Sequence, residues 1–128
     1  MRVLLVCLGG ALGTGARYLL SGWAARHLGL TFPYGTLTVN VLGSFLMCFL
    51  MTLMVTTHAV RTSPEVRLFL TTGVLGGFTT YSAFTYESLA LLQERAWLSL
   101  GLNLSATVLG CLVAGLLGLM LARALAGA

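Results

Sequence analysis

The sequence contains very little charge. Only 8% of its 128 residues are Asp, Glu, Lys or Arg, and lysine is absent altogether. A soluble globular domain carries about 25% charged residues, so this chain has too few of them to cover a water-facing surface. The composition predicts an integral membrane protein with a single compact domain over residues 1–128.

The sequence also lacks the patterns that carry most enzyme chemistry. It has no Cys-x-x-Cys pair, no Gly-x-Ser-x-Gly elbow and no phosphate-binding loop. Its three cysteines, Cys7, Cys48 and Cys111, lie apart inside apolar runs, where we expect packing roles. Its arginines are scattered instead of forming the basic face that a nucleic-acid-binding protein needs. We therefore expect neither an enzyme nor a nucleic-acid partner.

Four long apolar runs are present, with approximate spans 3–28, 34–57, 66–92 and 96–123. Each exceeds the ~20 residues that a helix needs to cross the hydrocarbon of a bilayer. Short breaks separate the runs, at Thr31-Phe32-Pro33, around Pro64 and at Gln93-Glu94-Arg95. The stretch Ser63-Pro64-Glu65 is typical of a helix start, with a capping serine, an early proline and an acid at the positive end of the helix dipole. The pattern predicts an all-α, multi-pass membrane protein with four transmembrane helices.

The arginines barely distinguish the two sides of the membrane. With four spans, one side carries Arg2, Arg61, Arg67 and Arg123, whereas Arg17, Arg26 and Arg95 lie toward the other. An excess of basic residues in cytoplasmic loops normally sets the orientation. Two interpretations are open: a weakly biased protein inserted one way, or a dual-topology protein whose copies insert both ways and pair head to tail. We favour the second.

Small residues recur at four-residue spacing in three of the runs. The pairs are Gly9 with Gly13 and Gly73 with Gly77, and the last run carries Ala106, Gly110, Ala114 and Gly118. Small residues let helix backbones approach closely in lipid. The spacing predicts a tightly packed bundle and says nothing about function.

The third run has an irregular centre, Gly-Gly-Phe-Thr-Thr-Tyr-Ser-Ala-Phe, over residues 76–84. Glycine in mid-helix costs about 1 kcal/mol relative to alanine, and the β-branched threonines Thr79 and Thr80 that follow the Gly76-Gly77 pair help little, so we expect this segment to unwind. Unwound backbone at membrane depth survives only when it is buried in protein or lines a cavity, and its carbonyls suit a small cation. Tyr81 and Phe84 share a helix face beyond the break, either as core aromatics or as ring edges that meet an anion.

Polar residues within the spans are the remaining candidates. Thr36, Asn40 and Ser44 form one line on a face of the second helix, which serves either helix packing or a path lined with hydrogen-bond donors. Arg17 and Glu87 are charges inside predicted spans, and such charges need a partner or a wet cavity. A structural salt bridge and a charge at the mouth of a path are both open.

Three segments resemble the fluoride channels of the CrcB or Fluc type. They are Gly9 to Tyr18 (GGALGTGARY), Tyr34 to Phe45 (YGTLTVNVLGSF) and Thr72 to Phe84 (TGVLGGFTTYSAF), in the family's order and on its first three helices. The resemblance covers nearly the whole chain. It implies a fluoride-selective channel in the bacterial inner membrane that exports fluoride passively and relieves its toxicity.

The resemblance also implies an assembly and a site. The family forms an antiparallel, dual-topology homodimer in lipid, with the third helix broken near its middle. By position, a structural Na+ at the dimer interface would bind the backbone carbonyls of Gly76 and Thr79. The fluoride pathway would be lined by Asn40, Tyr81, Phe84, Ser82, Thr107 and Cys111. Arg17 and Glu87 would have structural or vestibule roles.

The chain departs from the family pattern at three positions. Tyr81 stands where phenylalanine is usual, Ala83 where threonine is usual and Cys111 where serine is common. A thiol is a much weaker donor than a hydroxyl, so these changes bear on the pathway more than on the fold.

Two other functions are open from the residues alone. A small, dual-topology, proton-coupled drug exporter needs a membrane-embedded carboxylate, but the first span has none and Glu87 lies near the end of the third. A non-transporting scaffold subunit would explain the small-residue spacing but not the polar break.

Overall fold

A computed structural model describes residues 1–56 and 63–127, and all the secondary structure of these residues is helical. Helix α1 spans Arg2–Leu28 and α2 spans Tyr34–Thr56. The next helical segment, residues 64–78, is α3. Helix α4 spans Tyr81–Gln93 and α5 spans Trp97–Ala126. The predicted all-α fold is confirmed.

Helix α3 changes its winding along its length. It begins as the α-helix Pro64–Leu68, continues as the π-helix Phe69–Leu75 and ends with the helical turn Gly76–Phe78. The backbone N–H of Gly76 reaches the carbonyl of Thr71, five residues back, which is the hydrogen bond of a π-helix. Such wide turns are uncommon and often lie at functional sites.

Three helices, α1, α2 and α5, are long and apolar enough to cross a membrane. The third predicted span is divided between α3 and α4, as the sequence led us to expect. Its start is also as predicted, because the Ser63 hydroxyl accepts the Val66 N–H at 3.3 Å and Pro64 opens the helix. Arg61 and the last residue of the predicted span 34–57 lie outside the described residues.

The glycines sit where helix backbones touch. Helix α1 packs on α3, and a Cβ atom at Gly9 would lie 2.7 Å from the Phe69 carbonyl oxygen. A Cβ at Gly13 would overlap the Val74 carbonyl oxygen, and one at Gly118 of α5 would overlap the Phe45 carbonyl oxygen of α2. The predicted small-residue packing therefore joins α1 to α3 and α2 to α5.

The predicted segment is interrupted just after the Gly76-Gly77 pair. Both glycines remain helical, and the extended residues are Thr79 and Thr80. Gly77 serves close packing instead, because a Cβ there would lie 2.6 Å from the Gly10 carbonyl oxygen of α1.

Candidate functional site

The break between α3 and α4 consists of two residues. Thr79 has φ −84° and ψ 158°, and Thr80 has φ −152° and ψ 116°, so both are extended. Helix α2 covers this point, because a Cβ atom at Gly43 would overlap the Thr79 side chain. The break is therefore packed against protein on the α2 side.

Asn40 of α2 binds both polar groups of the Thr80 backbone. Its Nδ2 donates to the Thr80 carbonyl at 2.9 Å, and its Oδ1 accepts the Thr80 N–H at 2.8 Å. Both residues are buried. Because an unpaired buried backbone group is costly, this pair of hydrogen bonds stabilises the extended conformation.

The Thr80 side chain starts α4. Its hydroxyl oxygen accepts the Ala83 N–H at 3.2 Å, as an N-cap does, and lies 3.2 Å from the Ser82 hydroxyl. The predicted pathway residue Ser82 thus contacts the cap and is exposed on the outside of α4. It is absent from the lining of the groove described next.

A groove of about 700 Å³ runs along α2, the break, α4 and α5. Its lining includes five of the six residues that the sequence comparison placed on the pathway: Asn40, Tyr81, Phe84, Thr107 and Cys111. Thr79 lines it as well, whereas Gly76 and Arg17 do not. Among the described residues, no charged side chain lines this groove. It is a largely apolar groove with a few neutral hydrogen-bond donors.

The two aromatic residues of the groove differ in burial. The rings of Tyr81 and Phe84 lie 5.5 Å apart at an interplanar angle of 54°. Phe84 is 5% exposed, whereas Tyr81 is 79% exposed although it directly follows the break. The Tyr81 ring therefore projects outward from the single chain.

Glu87 lies in a different place from the groove. Its Oε1 accepts the Thr36 hydroxyl hydrogen at 2.6 Å, and its Oε2 is buried without a hydrogen-bond partner among the described residues. Both residues line a cavity of about 380 Å³ near the ends of α1, α2 and α4. The hydroxyl of Thr36, rather than an arginine, is therefore the partner of this carboxylate. The polar line of α2 joins α4 at Thr36 and the break at Asn40.

Sequence reasoning missed two buried polar residues, Ser88 and Asn103. Asn103 is 1% exposed, and its Nδ2 donates to the Ser88 hydroxyl oxygen at 3.0 Å, which links α5 to α4. Asn103 stands four residues before Thr107 and eight before Cys111, so its spacing places it on the polar face of α5. That spacing was the available signal.

These features define a class of protein. Three apolar crossings and a fourth interrupted at a buried, hydrogen-bonded break form a multi-pass helical membrane protein with an uncharged groove at membrane depth. Interrupted helices of this kind line ion sites in membrane transport proteins.

The family model of CrcB-like proteins (camphor resistance, CrcB) matches residues 4–119. The chain belongs to this family. A protein of Anaeromyxobacter sp. (strain K) named "Fluoride-specific ion channel FluC" is 56% identical over 98% of both chains. Proteins with the same name from Sorangium cellulosum and Geobacter metallireducens are 49% and 45% identical, over 92% and 96% of this chain and 91% and 98% of their own. The name is that of a channel and not of an enzyme.

Proposed function

We propose that this protein is a fluoride-selective channel that lets fluoride leave the cell down its electrochemical gradient. The observation that carries the proposal is the uncharged groove beside the helix break, in a chain whose relatives are named fluoride-specific channels over almost their full length. The relatives' name favours a channel over the drug exporter or the scaffold.

The groove offers donors without fixed charge. Fluoride is small and strongly hydrated, so a pathway has to replace its water with donors yet hold it weakly enough to release it. The second Nδ2 hydrogen of Asn40, the Thr107 hydroxyl and the ring edge of Phe84 supply such contacts along one wall. A lysine or arginine in the same place would hold the anion too firmly to conduct it.

A second copy of the chain would complete the pathway. The groove is open on one side, and it exposes Tyr81 and part of Thr79 to what would otherwise be lipid. Irregular backbone is tolerated at membrane depth only when protein or water covers it. We infer that an antiparallel, dual-topology homodimer supplies the second wall, in keeping with the near balance of arginines between the two predicted sides of the membrane.

The break also suits the proposed structural Na+. In an unbroken helix the Gly76 carbonyl would accept the Thr80 N–H, and the Thr79 carbonyl would accept the Ala83 N–H. Here those two N–H groups bind Asn40 Oδ1 and the Thr80 hydroxyl instead. Two carbonyls per chain are thereby released from helical hydrogen bonds. Hard cations take oxygen ligands, and two copies would bring four such oxygens together.

The proposed function is tested by reconstituting the purified protein in liposomes loaded with fluoride and chloride. We expect passive fluoride efflux with little chloride efflux, both read by ion-selective electrodes. Protein-free liposomes are the control. A protein that is folded and inserted but passes no fluoride would overturn the proposal, and equal efflux of both anions would overturn the selectivity.

A further inference from the structure

Behind the groove, a chain of side-chain hydrogen bonds joins α4 to α5. The Ser88 hydroxyl donates to the Phe84 carbonyl at 2.7 Å, and Asn103 Nδ2 donates to the Ser88 oxygen at 3.0 Å. The Thr107 hydroxyl donates to Asn103 Oδ1 at 3.5 Å. Thr107 lines the groove, whereas Asn103 is 1% exposed and does not.

The direction of this chain is fixed at its inner end. A serine hydroxyl has one hydrogen, and that of Ser88 is committed to the Phe84 carbonyl. The Ser88 oxygen can then only accept, so the amide of Asn103 must turn its NH2 group toward Ser88. Its Oδ1 consequently faces Thr107.

The outer bond is the weak one. Hydrogen bonds between a hydroxyl and an oxygen have their optimum near 2.7–2.8 Å, whereas the bond from Thr107 to Asn103 measures 3.5 Å. An anion in the groove competes for the same single hydrogen of Thr107, and hydrogen bonds to a charged acceptor are the stronger ones. The hydroxyl therefore has two alternative acceptors, one on each side.

We propose that Asn103 is a positioning residue for conduction. When fluoride leaves, the Thr107 hydroxyl again donates its hydrogen bond to Asn103 Oδ1. This inference rests on the proposed function. Because Asn103 Oδ1 accepts this hydrogen bond in place of the departing ion, release does not leave the buried Thr107 hydroxyl without an acceptor. Asn103 thus weakens the fluoride site at Thr107 and speeds turnover of the ion there.

Replacing Asn103 with leucine tests the proposal. Asn103→Leu removes the acceptor, so fluoride should bind more tightly and leave more slowly. In liposome efflux at graded fluoride concentrations, we expect the half-saturating concentration and the maximal flux each to fall by roughly fivefold, the factor that one ordinary hydrogen bond contributes. Ser88→Ala, which frees the amide to turn, should shift both quantities in the same direction by less.

Combining Asn103→Leu with substitutions of Thr107 distinguishes a positioning role of Asn103 from a purely structural one. When combined with Thr107→Ser, which keeps a hydroxyl, Asn103→Leu should still lower the half-saturating concentration and the maximal flux. When combined with Thr107→Val, which has no hydroxyl, it should change neither quantity further. Ser105→Ala, on the opposite side of α5 and exposed in the single chain, is the matched control and should leave both quantities unchanged.

Several outcomes would overturn the inference. One is an Asn103→Leu protein that conducts like the parent, or whose half-saturating concentration rises. Another is an effect that persists in Thr107→Val. If Asn103→Leu does not fold, a Ser88→Ala protein with the half-saturating concentration and maximal flux of the parent would also overturn the inference. Absence of fluoride flux from the parent protein overturns the proposed function itself, whereas a conducting parent with unaffected variants sinks this inference alone.

Discussion

At the scale of single residues, Asn40 acts as a substitute for a peptide group. Its carboxamide carries the same donor and acceptor as the backbone, and it pairs with the N–H and C=O of Thr80 much as a neighbouring strand would. A serine or threonine at this position could not match both groups with that geometry. The residue therefore has a structural task that comes before any contact with an ion.

Replacing Asn40 with leucine should remove both functions together. Asn40→Leu leaves the Thr80 N–H and C=O buried without partners, at about 1–3 kcal/mol each, and takes a donor out of the groove. We expect fluoride flux to be lost in the liposome assay and the thermal midpoint to fall. Thr56→Ala, at the far end of the same helix, should change neither. Full flux in the Asn40 variant would show that the amide contacts no ion and that the break holds without it.

Tyr81 raises a separate question at the same scale, because its phenol is an addition to the ring that the family uses. The ring is largely exposed in the single chain and is tilted by 54° relative to the ring of Phe84. If the ring edge is what meets fluoride, Tyr81→Phe should keep the flux within about twofold, while Tyr81→Leu should reduce it strongly. A large loss in Tyr81→Phe would instead assign the contact to the hydroxyl.

At the scale of helices, the interrupted third crossing depends on its neighbours on two sides. Helix α1 touches α3 through glycines, and α2 holds the break through Asn40 and Gly43. The π-helix Phe69–Leu75 lies directly on the α1 contact, where Gly9 meets Gly73. The shape of the third crossing is thus imposed from outside as much as by its own residues.

The α1–α3 contact gives a sharp test of this dependence. Gly13→Ala would put a methyl group into the Val74 carbonyl, and overpacking of this kind costs about 1–3 kcal/mol. Gly15→Ala, two residues on, meets nothing within 4 Å and should be neutral or slightly stabilising because alanine favours the helix. Chemical or thermal unfolding in detergent measures the difference. Equal stability of the two variants would mean that α1 does not pack on α3 as described.

The sequence was sufficient for the helices and for the interruption, but not for its cause. The length of the apolar runs gave α1, α2 and α5, and the cap at Ser63 was correctly read. The predicted segment contains the break, but its hydrogen bonds to Asn40 could not be predicted because they join residues 40 positions apart. The bond of Asn103 to Ser88 could not be predicted either, since Ser88 lies on another helix.

At the scale of the whole molecule, the arginines are divided almost evenly between the two predicted sides of the membrane. The sequence pattern puts Arg2, Arg61, Arg67 and Arg123 on one side, and Arg17, Arg26 and Arg95 toward the other. The ion pair of Arg2 with Glu65, at 3.8 Å, joins two exposed side chains and contributes little to stability. The charge distribution therefore bears on insertion more than on packing.

Dual topology predicts two populations of every site. After the three native cysteines are replaced, a single cysteine introduced at Ala126 should react with a membrane-impermeant maleimide in about half of the copies in intact cells, because the bias that orients a membrane protein is nearly absent here. Adding lysines next to Arg123 should move the labelled fraction away from one half. Labelling near zero or near completeness in the unaltered protein would contradict dual topology.

The proposed central cation makes a prediction that does not need flux. A ligand that binds the folded dimer raises its stability by mass action, so replacing Na+ by a large organic cation should lower the thermal midpoint of the purified protein. Restoring Na+ should restore the midpoint, whereas adding the same concentration of further organic-cation chloride should not, which controls for ionic strength. A thermal midpoint that does not change with Na+ would argue against the carbonyl site of Gly76 and Thr79.

The hydrogen bonds from Asn40 to Thr80 also order events in time. Helix α2 leaves the ribosome before α3 and α4, but the extended break can form only once α2 has docked against Thr80. During insertion the third crossing can therefore enter the bilayer as one continuous helix, which satisfies its own backbone in lipid. The interruption of the third crossing is then a late step of maturation, which occurs only when Thr80 docks against α2.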